Sequence, residues 1–296
     1  MFEINLSPTI LLPSDPKRAG TTKTIPNGRF SYKAFLPTDL QDVKLTYTPD
    51  LVSLIGKARA ALATLVARYG LLPEAKQQEF RDVMLESEVT ASLKLAAAEE
   101  NPADHDWLQR AIPYAFEELA KLPLSHRLLT AVHDMALHDL SHYQQNPGEF
   151  RRSPIWLGKK DATLTKEATF VPPAPEDMKT AFSALEHYMN EEQETEPLVR
   201  TALIHYQFEM LHPFLDGNGR VGRILALLVL KEANVIPAPI LPLSAALLNQ
   251  SFSYYADLLG VETRGTYEVW VRYFIDCLLY AAQTALVTLE DVQSSH

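Results

Sequence analysis

The sequence predicts an all-α protein with one small β element. Three observations carry that reading. From residue 50 onward, apolar residues recur at helical spacing along most of the chain. The helical runs are separated by glycines, prolines and polar breaks of the kind that start and stop helices. One segment alone, "PGEFRRSPIWLGKKDATLTKEATFVPPAPED", departs from this, with a shorter period and Thr, Val, Phe and Ile set between Gly and Pro.

Residues 1–49 are rich in Pro, Thr and Asp, show no helical period and read as an extended arm. "LVSLIGKARAALATLVARYG" then places Leu51, Leu54, Ile55, Ala58, Leu62, Leu65 and Val66 on one face and stops at Gly70. A second helix fits 74–99 and ends before the polar break "ENPADHD". Helices follow at 105–121, 124–145 and 176–192, with a β-hairpin at 155–171 closed by Pro172 and Pro173. The rest reads as helices at 196–211, 219–233, 244–259 and 266–288. The expected division is an N-terminal arm and helical region (1–100), a central core with the hairpin (101–243), and C-terminal helices packed on that core (244–296).

The 296 residues are 47% hydrophobic and 22% charged, with a formal net charge of −10. A chain of that size buries a sizeable core. Its acidity argues against sequence-independent nucleic-acid binding, which displaces counterions with a basic surface. The single cysteine, Cys277, excludes an intrachain disulfide and lies in an apolar run, as a buried core residue does. The N-terminus lacks the cationic start and apolar stretch of a signal peptide, and "ILALLVL" is far short of a membrane span. The expectation is a cytoplasmic protein with no membrane partner.

"LHPFLDGNGRVGR", residues 211–223, concentrates the chemistry. Pro213 cannot donate a helix hydrogen bond and drives the preceding residue out of the α region, so one helix ends near His212 and the next begins beyond "PFLDGNG". Free backbone N–H groups at that second helix start favour an anion such as phosphate. Gly217 and Gly219 permit close approach, and Arg220 and Arg223 carry guanidinium forks suited to phosphate oxygens. Asp216 would repel a phosphate unless a divalent cation lay between them. His212 can take a proton near neutral pH. Together the residues suggest a Mg²⁺–nucleotide site with a general base. It is no Walker A loop, because GxxxxGK(S/T) is absent. Two other readings stand beside this one. The stretch could be a plain helix–turn–helix connection with solvated arginines. Alternatively, the H-x3-E-x2-H spacing of His205, Glu209 and His212 could gather a metal, although a structural His205 is favoured.

"HPFLDGNGRVGR" also resembles the Fic-family signature, HPFx(D/E)GNGRxxR, at every defined position. "PLSHRLLTAVHDMAL", "PGEFRRSPIWLG", "ATFVPPAPEDM", "ALIHYQFEMLHPF" and "YYADLLGV" are similar to the corresponding stretches of Fic proteins with a helical N-terminal region. The likeness is good over about residues 105–280 and looser over 30–100. It implies a Fic-type helical bundle with a hairpin flap. It also implies an adenylyltransferase that moves AMP from ATP to a Ser, Thr or Tyr hydroxyl of a target protein and releases pyrophosphate, with self-modification as a side reaction.

On that pattern His212 takes the hydroxyl proton and Asp216 holds Mg²⁺. Asn218 and the N–H groups of Gly217 to Gly219 form an anion hole. Arg223 reaches the terminal phosphate and Arg220 braces the loop, with Val221 and Gly222 completing the nucleotide-binding turn. Phe214 anchors the loop, Tyr254 and Tyr255 lie on the adenine side, and Glu167, Ala168, Thr169 and Phe170 form the flap edge that pairs main chain to main chain with the target. The implied partners are ATP and a protein substrate. A homodimer is left open. A different donor such as UTP, or a nucleotide-sensing interaction module, are the competing functions.

Relatives of this kind often carry an inhibitory helix, (S/T)xxxE(G/N), whose glutamate pairs with the second arginine of the signature. In the matching register of "LESEVTASLKL", Glu86 takes the Ser/Thr place, Thr90 the glutamate place and Ala91 the Gly/Asn place. Thr90 has no carboxylate, so the inhibitory position is degenerate. The expectation is that inhibition is lost or weakened, with Arg223 standing free, or is carried instead by Glu86 or Glu88.

Overall fold

Residues 14–96, 102–137, 146–191 and 194–295 are described by the structure, a computed structural model. Of the extended arm expected at 1–49, residues 1–13 lie outside the described residues and residues 20–37 are paired. β1 (Gly20–Asn27) and β2 (Phe30–Pro37) form an antiparallel hairpin in register from Gly20↔Pro37 to Asn27↔Phe30. Its two-residue turn is Gly28-Arg29, and Gly28 at φ 62 in the first turn position is a local hairpin signal that helical period does not reveal. The hairpin lies against the base of the flap, where the Phe35 N–H donates to the Val171 carbonyl at 2.9 Å and the Phe35 and Phe170 rings meet edge to face.

Five helices and the flap follow. These are α1 (Pro49–Gly70), α2 (Glu74–Leu95), α3 (Pro102–Glu118) and α4 (His126–Leu137), then β3 (Leu157–Thr163), β4 (Lys166–Phe170) and α5 (Pro175–Glu191). The ends expected for the second and fourth helices, 97–99 and 138–145, fall outside the described residues. Thr48 caps α1 by accepting from the Leu51 N–H, with Pro49 at the first helical position. The flap forms within its expected limits.

Two helices make the centre of the molecule. In α6 (Pro197–Leu211) every residue after the first is buried, and α7 (Asn218–Glu232) is nearly as enclosed. A helix apolar on all sides belongs inside a protein, and the other helices pack around this pair. α6 starts where the Glu196 carboxylate accepts from the N–H groups of Leu198 and Val199. One apolar core runs from Ala19 to Val292 and draws residues from the N-terminal, central and C-terminal segments alike. Cys277 is buried in it, and burial pushes its thiol up to about 12.

The helix expected at 244–259 is two helices, α8 (Leu243–Asn249) and α9 (Ser251–Arg264), broken at Gln250 with φ −128 and ψ 38. The apolar period runs through the break, so it is not visible in the sequence. A distant hydroxyl helps hold it open. Tyr273, on α10 (Tyr267–Ser294), donates to the Gln250 carbonyl. Among the described residues, no helix is long and apolar enough to cross a membrane. The fold class is the expected one: a helical bundle bearing a small hairpin flap, with a second hairpin at its N-terminal side.

Candidate active site

α6 ends where Pro213 requires it. His212 sits in the left-handed region at φ 47, ψ 62, its N–H still bonded to the Phe208 carbonyl. Its Nδ1 lies 3.1 Å from the Glu209 carbonyl oxygen. A carbonyl only accepts, so Nδ1 carries the proton and Nε2 keeps its lone pair. Burial holds this imidazole down to about 4; Arg151 adds to the effect, while the Glu209 carbonyl and Asp216 oppose it. At neutral pH, His212 is a neutral base on the wall of a cavity of about 610 Å³.

The loop beyond it is held from behind. Phe214 is fully buried, and Asn218 staples it: Oδ1 accepts from the Phe214 N–H at 2.8 Å and Nδ2 donates to the Phe214 carbonyl at 2.9 Å. The amide expected in an anion hole is therefore engaged with the loop itself, leaving the Asn218 backbone N–H for any anion. Gly217, at φ 75, starts α7 without a side-chain cap. The first N–H groups of a helix have no partner within it, and the residues at this start, Asp216, Gly217, Asn218 and Gly219, line the cavity.

The arginines are not solvated, which overturns the plain-turn reading. Arg220 is 3% exposed; its Nη2 pairs with Asp216 Oδ2 at 3.2 Å, while its buried Nε and Nη1 lack a protein partner. Two buried donors beside an uncapped helix start are of the kind that suits phosphate oxygens. Arg223 is 2% exposed and held by Ser92 of α2, Nε to Oγ at 2.9 Å and Nη2 to the carbonyl at 2.8 Å. The expectation that Arg223 stands free is thus corrected. Thr90 does not reach it and donates to Glu86, which also pairs with His105. Glu88 is buried against Ser244, accepting from its N–H at 2.6 Å and from its hydroxyl. Neither proposed substitute carboxylate makes an ion pair with Arg223.

Val221 and Gly222 face inward, not to the cavity. Val221 is core, and a Cβ on Gly222 would collide with Glu209 Oε1 and approach Phe208 Cδ1 to 3.0 Å. Tyr254 and Tyr255 both line the cavity; Tyr254 is buried with its hydroxyl on His205, while Tyr255, 47% exposed, donates to the Leu95 carbonyl. In the flap, Glu167 takes φ 60 at an irregularity of the β3–β4 register, and Ala168 pairs with Gly158. Thr169 and Phe170 reach the cavity wall, but the Phe170 side chain is an anchor against Phe35, so any edge role belongs to its main chain.

His205 makes no metal site. Its Nδ1 lies 2.9 Å from the Gly222 carbonyl and Nε2 2.9 Å from the Tyr254 hydroxyl, with burial holding it down to about 3. Among the described residues, no three His, Cys, Asp or Glu side chains are placed to hold a metal by themselves. Asp216 offers a single carboxylate. That fits magnesium, which takes one or two carboxylates and completes its shell with waters and substrate phosphates.

Three contributors lie outside the motifs. Ser92 is described above. Arg151, 1% exposed, donates from Nε to the His212 carbonyl at 2.8 Å and from Nη2 to those of Pro173 and Leu211. His133 reaches the loop from α4. Arg151 is one of two adjacent arginines and His133 sits on an apolar helix face, so neither stands out in the sequence.

The helical bundle thus brings a capless helix start, Arg220 with two unpartnered guanidinium donors and a neutral histidine to one cavity. Residues 123–230 match the family model described as Fic/DOC family. The protein adenylyltransferase Fic of Drosophila grimshawi is 34% identical over 132 residues, 44% of this chain and 24% of that protein. The chain thus spans about a quarter of the length of that relative, 24%. A Fic family protein from Desulfovibrio desulfuricans shares the fold, with a TM-score of 0.63 at 20% identity over 82% of this chain and 76% of that one. So does a Fic domain containing signaling protein from Bacteroides thetaiotaomicron, with a TM-score of 0.61 at 17% identity over 82% of this chain and 100% of that one.

Proposed function

We propose that this protein transfers AMP from ATP to a hydroxyl side chain of a protein target. The observation that carries the reading is the protonation state built into His212. With Nδ1–H donated to the Glu209 carbonyl, the basic Nε2 is left on the wall of the same cavity into which the α7 start opens. Phosphate binding alone has no use for a base there.

The chain's residues divide the work of such a transfer. The backbone N–H groups of Gly217, Asn218 and Gly219 take phosphate oxygens, and Arg220 adds its two unpartnered donors. Arg223 serves the outer phosphates once it exchanges Ser92 for them. The target's hydroxyl oxygen forms a bond to the α-phosphorus as the bond to the pyrophosphate oxygen breaks, and the hydroxyl proton passes to His212 Nε2. A magnesium ion, when bound, supplies charge neutralisation between the phosphates, and Asp216 is the residue that would hold it. The flap edge from Glu167 to Phe170, of which Thr169 and Phe170 line the cavity, is the docking edge for an extended target segment in this reading.

The test is incubation of the full chain with Mg²⁺ and ATP labelled at the α or the γ position, with UTP as competitor. α-Label on protein is the expected result. γ-Label means phosphorylation, competition by UTP in equal amount means another donor, and no label with tight ATP binding means a sensing module; each of these rejects the proposal.

A further inference from the structure

His133 is the buried titratable group that adenylyl transfer does not use, yet it touches the loop twice. Its ring lies flat on Phe214, centroids 3.8 Å apart and planes 8° from parallel. Its Nδ1 accepts from the Gly148 N–H at 2.8 Å. With Nδ1 accepting, the ring proton resides on Nε2, which donates to the Asp216 carbonyl at 3.0 Å. The three contacts leave the ring one tautomer and one orientation.

The consequence follows from the geometry of a trans peptide, whose C=O and N–H point in opposite directions. The Asp216–Gly217 peptide is trans. Its carbonyl is drawn back to His133, so the Gly217 N–H points forward, to the side where Gly217 lines the cavity. Were this peptide to flip, a carbonyl oxygen would face the anion in place of an N–H donor. Flips are easiest at a glycine with positive φ, and Gly217 stands at φ 75. Glycine suits this position, because positive φ strains other residues and a Cβ there would lie 2.6 Å from Leu137 Cδ1, which would have to shift.

We propose that His133 is a positioning residue of the site: its Nε2–H holds the Asp216 carbonyl so that the Gly217 N–H faces the cavity as an anion donor. This inference rests on the phosphate-transfer reading of the same loop. It extends the machinery beyond residues 211–223 to α4 and ties it to the Gly148 turn that leads into Arg151.

Two variants separate positioning from packing. His133→Gln keeps a donor near the place of Nε2 and loses the acceptor for Gly148. His133→Asn keeps the acceptor and loses the donor. Both lose the stack on Phe214, so comparable thermal stabilities are expected. The expected result is that Mg²⁺–ATP affinity and the rate of label transfer fall about tenfold or more in His133→Asn relative to His133→Gln. Equal affinity and rate in two equally stable variants overturn the proposal. Nitrogen NMR of the histidine-labelled wild type needs no variant to fold. A neutral His133 protonated at Nε2 is expected, and protonation at Nδ1 overturns the proposal. If the wild type itself neither binds Mg²⁺–ATP nor transfers label, the adenylyl-transfer reading fails, and the tautomer alone then decides the His133 contact.

Discussion

Arg223 reaches from α7 to α2 and gives both its hydrogen bonds there to one residue, Ser92, through Oγ at 2.9 Å and the carbonyl at 2.8 Å. Ser92 lies two residues beyond Thr90, the position left without a carboxylate. The guanidinium is thus restrained by neutral oxygens, which compete with phosphate less strongly than a carboxylate does.

Ser92→Ala removes one of those bonds. Stability should fall by about 1 kcal/mol as Nε loses its partner. ATP affinity should rise by roughly threefold to tenfold, because the phosphates no longer displace the hydroxyl. Thermal melts and ATP titration read the two effects, and an unchanged or weaker ATP affinity rejects the restraint.

His212→Ala should slow transfer by about 10²–10⁴, the usual worth of a positioned base. ATP affinity should change little, since the anion donors lie on the loop and α7. Label transfer at the wild-type rate would remove His212 from the reaction. In the wild type, the acid limb belonging to this base should fall near pH 4, where burial places it, and not near 6.5.

The pH dependence of stability has two opposing parts. His205 is held down to about 3, and His133 and His212 to about 4, each chiefly by burial. Their contribution is fully present above about 6.5, the unfolded value, and is lost as pH falls toward 4. Glu88 and Glu209 are raised to about 7 by burial, against the pull of nearby Arg223, and Ser244 further opposes the rise at Glu88. Their contribution is present below about 4.5, the unfolded value, and is lost as pH rises through 7. Glu209→Gln should therefore shift in stability relative to wild type by on the order of 1–3 kcal/mol in its favour between pH 5 and pH 8. Urea unfolding at the two pH values measures it, and a pH-independent difference contradicts the buried carboxyl.

Gly222→Ala should destabilise the fold by about 1–3 kcal/mol, since the new methyl meets Glu209 Oε1 and Phe208 Cδ1. Adding Glu209→Ala makes room for it. The double variant should be more stable than the sum of the two single losses predicts. Strict additivity in urea melts would show that Glu209 is not what the methyl strikes.

Much of this was legible from local pattern. Helical period marked the helices, Pro213 marked the end of α6, and the Gly-Asn-Gly run marked a helix start open to an anion. The N-terminal hairpin does not show in the period, although its turn glycine, Gly28, is visible, because the strands around it bury only part of one face. The loop's residue types also stated an acid, a base and cations in one place.

What each of those residues touches was decided by the tertiary structure. Ser92 and Arg223 are 131 positions apart, and His133 and Asp216 are 83 apart. Asn218 turned out to bind the loop, Gly222 to make room for Glu209, and Gln250 to leave the helix beside Tyr273. Periodicity and turn chemistry act between near neighbours, so the sequence alone determines the elements and the chemical groups on offer. The partner of a buried donor, the tautomer of an imidazole and the direction of a peptide N–H depend on which distant surface is packed against them, and only the folded chain settles that.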